Sequence, residues 1–176
     1  MIEELQVSDF KLVYRLMKQS FPLDEYRPLE EQRALLKNPS YTVYVRYHEM
    51  QGIQAFAAVW HFAEFAFIEH IAVNPNFRNE GIGGEFLQDV LNKFSVPVIL
   101  EVEPPETDVA FRRIGFYERS GFHLNDYSYT QPPIAAGKNP IPLLLMSSGS
   151  KLSHAQFDAV KSTLYREVYR CAEDAY

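Results

Sequence analysis

A chain of 176 residues that is 47% hydrophobic and 14% aromatic is long and apolar enough for one cored domain, which excludes a disordered polypeptide. Its formal charge of −6, with no basic run, argues against a nucleic-acid surface and suits a cationic partner. Cys171 is the single cysteine, so no internal disulfide framework exists, and the five histidines are scattered without CxxC or HExxH spacing, so no metal site is expected. No signal peptide and no apolar run of about 18 residues is present, so a cytoplasmic protein without a membrane partner is expected.

Residues 2–7 read as a short strand. Ser8 or Asp9 can cap a helix whose apolar stripe is Phe10, Val13, Tyr14 and Met17, ending near Phe21 and Pro22. A second helix is expected over 29–37, stopped by Asn38 and Pro39. Strands follow at 41–47, 53–62 and 65–73, with a hairpin turn at 49–52. A helix over 82–94, a buried strand at 98–102, a helix over 108–120 and strands at 122–129 and 143–147 complete the pattern. The segment 130–142 is rich in Pro and Gly. Ser153 and Gln156 form the ends of a capping box, opening a helix with Phe157, Val160, Leu164 and Val168 on one face. The expected organisation is a domain over 1–147 and a C-terminal helical extension over 148–176, packed on the domain or on a partner subunit in a homodimer.

The stretch from Ile68 to Phe94 carries the most chemistry. A strand runs into Asn74 and Pro75, then Arg78, Asn79, Glu80, Gly81, Ile82, Gly83 and Gly84 lead into an amphipathic helix. Backbone N–H groups at a helix start lack intrahelical partners, and the helix dipole adds partial positive charge there. Glycines let a phosphate reach that backbone. No Lys-Ser or Lys-Thr follows, which excludes a Walker A loop, and the third glycine of G-x-G-x-x-G is missing, which excludes a Rossmann turn.

The remaining pattern, R-x-x-G-x-G-G, resembles the coenzyme A loop of the GNAT (GCN5-related) N-acetyltransferases. A second motif strengthens the resemblance: Tyr117, Glu118, Arg119, Ser120, Gly121 and Phe122 look like the end of the fourth GNAT helix. The element order, β-α-α-β-β-β-α-β-α-β-β, is also the GNAT order. The resemblance implies an α/β fold with a mixed, splayed central sheet and helices on both faces, with coenzyme A between the two central parallel strands. It implies an acetyltransferase using acetyl-CoA as cosubstrate and a small-molecule amine as acceptor, without a metal. A protein or peptide N-acetyltransferase and a non-catalytic acyl-CoA binding module are the competing readings.

By the same resemblance, Arg78, Asn79, Glu80, Gly81, Ile82, Gly83 and Gly84 hold the pyrophosphate, and the backbone of Ile71, Ala72 and Val73 holds the acetyl and pantetheine end. Tyr117 is the expected proton donor to the leaving thiolate. Glu69 is the first candidate for the base, acting through water or with a pKa raised by burial. A structural Glu69 bound to a backbone group or to an arginine is the alternative, and His70 and Glu103 are further candidates. Strict alternation would place Phe67, Glu69, Ile71 and Val73 on one face and Ile68, His70 and Ala72 on the other. Glu101 and Glu103, late in the neighbouring strand, suit an amine-binding carboxylate. Where many family members carry an asparagine six residues before the helix-end tyrosine, this chain has Phe111.

Overall fold

A computed structural model describes residues 1–50, 52–78 and 80–176. Gln51, in the expected 49–52 turn, and Asn79, in the glycine loop, lie outside the described residues. The elements in chain order are β1 (Glu3–Glu4), α1 (Phe10–Ser20), α2 (Leu29–Ala34), β2 (Tyr41–His48), β3 (Gly52–His61), β4 (Ala66–Val73), α3 (Ile82–Leu91), β5 (Val98–Val102), α4 (Asp108–Arg119), β6 (Phe122–Gln131), β7 (Ile141–Ser148) and α5 (His154–Thr163). The order is the one read from the sequence. The chain forms two compact units, Met1–Val98 and Ile99–Tyr176.

In the first unit β1, β2, β3 and β4 pair antiparallel in sequence order. The apolar run of β3 does not alternate, and residues 55–59 are all 0% exposed. Such a strand must be covered on both faces, and α1 and α3 both pack on β3 and β4. Phe10, Val13, Leu16 and Met17 form the buried stripe of α1. Asp9 sits at the cap position of α1 but makes no side-chain cap bond; its carboxylate accepts the Tyr47 hydroxyl at 2.7 Å instead. The first strand is only Glu3–Glu4, shorter than the expected 2–7.

Strand β4 departs from strict alternation. Ala58 and Val59, neighbours on β3, face His70 and Ile68 on β4. Glu69 is therefore the extra residue of a β-bulge, which bends the strand and re-aims its side chains. The Glu69 and His70 side chains are 2% and 1% exposed, and they lie on the same side with His70 Nδ1 3.5 Å from Glu69 Oε2. The opposite faces expected for these two residues are corrected by this one inserted position.

In the second unit the strand order is β5-β7-β6, antiparallel throughout. Helices α4 and α5 pack on β6. The β6–β7 register shifts between Asn125 and Tyr129. The buried residues of β6 are Phe122, Asn125, Tyr129 and Gln131. Buried Asn125 donates to Leu145 O at 3.2 Å and to Ser147 Oγ at 3.1 Å, and accepts the Leu152 amide at 2.7 Å. This clamp fixes the start of the C-terminal extension against the sheet.

The expected capping box is present: Ser153 Oγ accepts the Gln156 amide at 3.2 Å, and Gln156 Oε1 accepts the Ser153 amide at 2.8 Å. Phe157 packs on Tyr127 and Tyr129, with ring centroids 4.7 and 6.4 Å away. Beyond Thr163 the helix widens into a π-turn over Leu164–Val168, in which the Tyr169 amide reaches Leu164 O at 3.1 Å. The wider turn brings Tyr165 and Tyr169 inward beside Leu164 and Val168, at 0% and 7% exposure. Replacing Ser153 with Ala should cost about 1 kcal/mol of stability, read as a lower denaturant midpoint with an unchanged slope.

Candidate active site

The glycine loop leads into α3 in the first unit. Asn74 sets its entry: the side chain accepts from the Asn76 amide at 3.1 Å and donates to Ile53 O at 2.9 Å. Gly81 caps α3 in the left-handed region, with φ of 78°, where an L side chain costs about 1–2 kcal/mol. The first intrahelical bond runs from the Glu85 amide to Gly81 O at 3.4 Å. The amides of Ile82, Gly83 and Gly84 precede that ladder and can serve a ligand. Among the described residues, a Cβ at Gly81 or at Gly84 would meet no atom within 4 Å. Arg78 and Glu80 are exposed beside it.

Two cations bear on this region. Arg78 was legible in the motif. Arg46 was not: it lies on β2 and pairs with Glu85, in the first turn of α3, at 3.0 Å. Only the sheet brings it to the helix, so no local pattern reveals it. Ile71, Ala72 and Val73 close β4, half-buried and paired with Ala57, Phe56 and Ala55.

Glu69 has a partner that its surroundings in sequence do not announce. Arg27 Nη2 lies 2.8 Å from its Oε1, with the two side chains 6% and 2% exposed. Burial pushes the Glu69 carboxyl up, but the Arg27 guanidinium and the His70 imidazole outweigh it and bring the pKa to about 2. A carboxylate of that pKa is some 8 units below an amine, roughly 11 kcal/mol short as a direct proton acceptor. This environment supports the arginine-bound role that the sequence left open beside the base. The expected rise in pKa from burial is reversed by the guanidinium.

His70 is equally committed. Its Nε2 is 2.6 Å from Glu25 O; a carbonyl can only accept, so Nε2 carries the proton. Phe21 packs edge-on against the imidazole at 4.8 Å. Tyr14 donates to Arg27 O at 3.0 Å, and Gln32 Nε2 donates to the Tyr41 hydroxyl at 2.9 Å. Together these contacts hold residues 21–27, between α1 and α2, against β4.

In the second unit Tyr117 lies in the last turn of α4, 8% exposed, with Phe116 and Phe122 edge-on at 5.2 and 5.7 Å. Burial pushes its phenol up to about 12, with Arg113 pulling the other way. The group is therefore protonated across the physiological range. Helix α4 is capped by Thr107, whose hydroxyl accepts the Ala110 amide at 3.1 Å, and the chain reverses through Gly121 at φ of 88°. Glu103 is 42% exposed and 3.5 Å from Arg113 Nη1. Among the described residues no group of three or more His, Cys, Asp or Glu could hold a metal ion, and no helix is long and apolar enough to cross a membrane.

The model of the acetyltransferase (GNAT) domain matches residues 39–124. A candidate GNAT acetyltransferase of known structure from Bacteroides thetaiotaomicron is 32% identical, covers 97% of this chain and 98% of its own, and superposes with a TM-score of 0.88. The chain belongs to the GNAT acetyltransferase family. The Bacillus subtilis candidate acetyltransferase YjbC is 26% identical over 167 residues, which is 93% of this chain and 84% of that protein. The Escherichia coli ribosomal-protein-S18-alanine N-acetyltransferase is 21% identical, covers 87% of this chain and 95% of its own, and superposes with a TM-score of 0.63. That last likeness speaks to the fold alone. The fold is thus the mixed α/β GNAT fold that the motif order implied.

Within this GNAT chain the Arg27–Glu69 pair makes a signed prediction. A folded pKa of about 2 against the ordinary 4.5 is worth about 3 kcal/mol above pH 4.5. That contribution is lost as pH falls from about 4.5 to about 2. Arg27→Met leaves a buried carboxylate uncompensated and should cost about 3–5 kcal/mol at pH 7. Denaturant unfolding at pH 7 and pH 3 should show the variant losing less stability than the parent between the two.

Proposed function

We propose that this chain transfers acetyl from acetyl-CoA to the primary amine of a small molecule, by direct attack in a ternary complex. The observation that carries the reading is the start of α3: a left-handed Gly81, three amides ahead of the helical ladder, and no atom of the described residues within 4 Å of a Cβ at Gly81 or Gly84. Arg78, Glu80, Gly81, Ile82, Gly83 and Gly84 cradle the pyrophosphate, with Asn79 in the same loop by sequence. A phosphate there gains about 0.3–1 kcal/mol from the helix dipole beyond its hydrogen bonds. Ile71, Ala72 and Val73 then accompany the pantetheine arm and the acetyl group through their backbone.

The reaction forms an N–C bond and breaks a C–S bond. The ammonium form first releases one proton, the neutral amine loses a second in becoming the amide, and coenzyme A leaves as a thiolate. An amine of pKa near 10 is about one part in a thousand neutral at pH 7, a cost of roughly 4 kcal/mol. Glu69 and His70 are both engaged elsewhere, as described above, so the proton passes to solvent or to a carboxylate near the acceptor. Tyr117 acts on the leaving group. A phenol near 12 facing a thiolate of pKa near 8.5 would lose about 5 kcal/mol on complete proton transfer. Its role is accordingly a hydrogen bond to sulfur that strengthens as charge develops there.

A small acceptor is favoured over a protein by the β6–β7 connection. Residues 132–140 are held by buried Pro132 and Ile134 and by a turn in which the Lys138 amide donates to Ala135 O at 3.1 Å. A proline-rich wall suits a compact substrate better than a peptide laid in a groove. Calorimetry should detect acetyl-CoA binding, and Gly83→Glu should weaken it at least about tenfold by placing a carboxylate at the pyrophosphate. Thiol release from acetyl-CoA with a panel of primary amines tests transfer itself. Tyr117→Phe should lower kcat about ten- to hundredfold with little change in acetyl-CoA affinity; unchanged turnover would remove Tyr117 from the mechanism.

A further inference from the structure

The outer face of α1 carries a charge opposite to that of the chain. Lys11, Arg15 and Lys18 lie on this helix, which has no acidic residue, in a chain of formal charge −6. Their i, i+4 and i+7 spacing puts them on one face, away from the buried stripe of Phe10, Val13, Leu16 and Met17. All three are exposed, and among the described residues none has an ion pair or a side-chain hydrogen bond. Arg113 and Arg166, also exposed, pair with Glu103 and with Glu167 and Glu173.

This face borders a groove of about 540 Å³ lined by Lys11, Tyr14, Arg15, Lys18, Gln19 and Leu29. The lining therefore holds three positive charges and no negative one; the exposed Glu30 and Glu31 of α2 do not line it. Half-buried Tyr14 and Leu29 form its apolar part. Leu12, 41% exposed, shares the side of α1 that carries Arg15 and Gln19.

We infer that this groove docks an acidic peptide segment of a partner protein, with carboxylates on Lys11, Arg15 and Lys18 and an apolar side chain against Tyr14 and Leu29. The inference goes beyond the transferase reading and does not depend on it. Charge complementarity carries it, because the three cations do not serve the helix itself. Like charges at i, i+4 destabilise a helix, and the dipole disfavours a cation such as Lys11 in the first turn. A bound anion relieves both costs. The cations span about 10 Å of helix, a length that an acidic helix with carboxylates at the same spacing covers. A small anion would leave the apolar part bare. An anionic membrane calls for about four to eight clustered cations, and nucleic acid for a broader basic footprint on a chain that is not itself acidic. The groove also bears on the rest of its unit, since the Tyr14 hydroxyl donates to Arg27 O at 3.0 Å.

The test uses the full-length chain and two fluorescein-labelled peptides of about four helical turns, read by anisotropy. One carries glutamate at i, i+4 and i+7 with a flanking leucine; the other has glutamine in place of each glutamate. The glutamate peptide should bind at least about tenfold tighter, and raising salt from about 0.05 to about 0.5 M should remove most of that difference. Lys11→Glu, Arg15→Glu and Lys18→Glu combined should weaken it at least about tenfold. Lys93→Glu, Arg112→Glu and Lys151→Glu combined, a reversal of equal size at other exposed cations, should weaken it less than about threefold. Arg15→Gln alone should weaken it about two- to fivefold, and thermal unfolding verifies that each protein is folded. Equal binding of the two peptides, or equal loss in the two triple variants, overturns the inference. Preferential binding of phosphatidylserine vesicles overturns it in favour of a membrane. Self-association that blocks the peptide and vanishes in the α1 triple variant overturns it in favour of a second copy. A chain that binds the glutamate peptide but not acetyl-CoA overturns the transferase reading alone.

Discussion

The buried ion pair of Arg27 and Glu69 is the constraint around which the first unit is arranged. Taking both charges out of water costs several kcal/mol each, and their attraction repays this only at close range. The 2.8 Å contact supplies that range. Its consequence is positional. Arg27 ends the irregular segment between α1 and α2, and Glu69 sits mid-strand in β4, so an otherwise loose connection is fixed to the sheet that leads into the glycine loop. Tyr14, Gln32, Tyr41 and His70 complete a polar layer within an apolar unit. A layer of this kind tolerates few alternative packings, because any shift strands a charge.

Much of the fold was legible because its signals are local. The run from Asn74 to Gly84 reads as a strand end, a turn and a helix start, since glycine and proline carry their backbone preferences with them. The stripe Ala110, Ile114, Tyr117 and the turn at Gly121 marked α4 in the same way. What escaped depends on residues far apart in the chain. Arg27 finds Glu69 and Arg46 finds Glu85 only after the sheets form. The shifts within strands escaped for another reason. A period-two reading assumes that no residue is inserted, and neither Glu69 nor the stretch after Asn125 carries a glycine to mark the break. The π-turn was hidden similarly, because Phe157, Val160, Leu164 and Val168 already make an acceptable α-helical face.

The bulge in β4 also has a consequence for how this chain can vary. It makes two consecutive residues, an acid and an imidazole, point the same way, so their joint use depends on one surplus position and not on either side chain alone. Substitutions can sample this strand one residue at a time. A change in its length cannot be sampled so gradually: losing a single residue would turn Glu69 away from Arg27 while leaving every local preference satisfied. Chains of this lineage should therefore accept exchanges along β4 far more readily than insertions or deletions there.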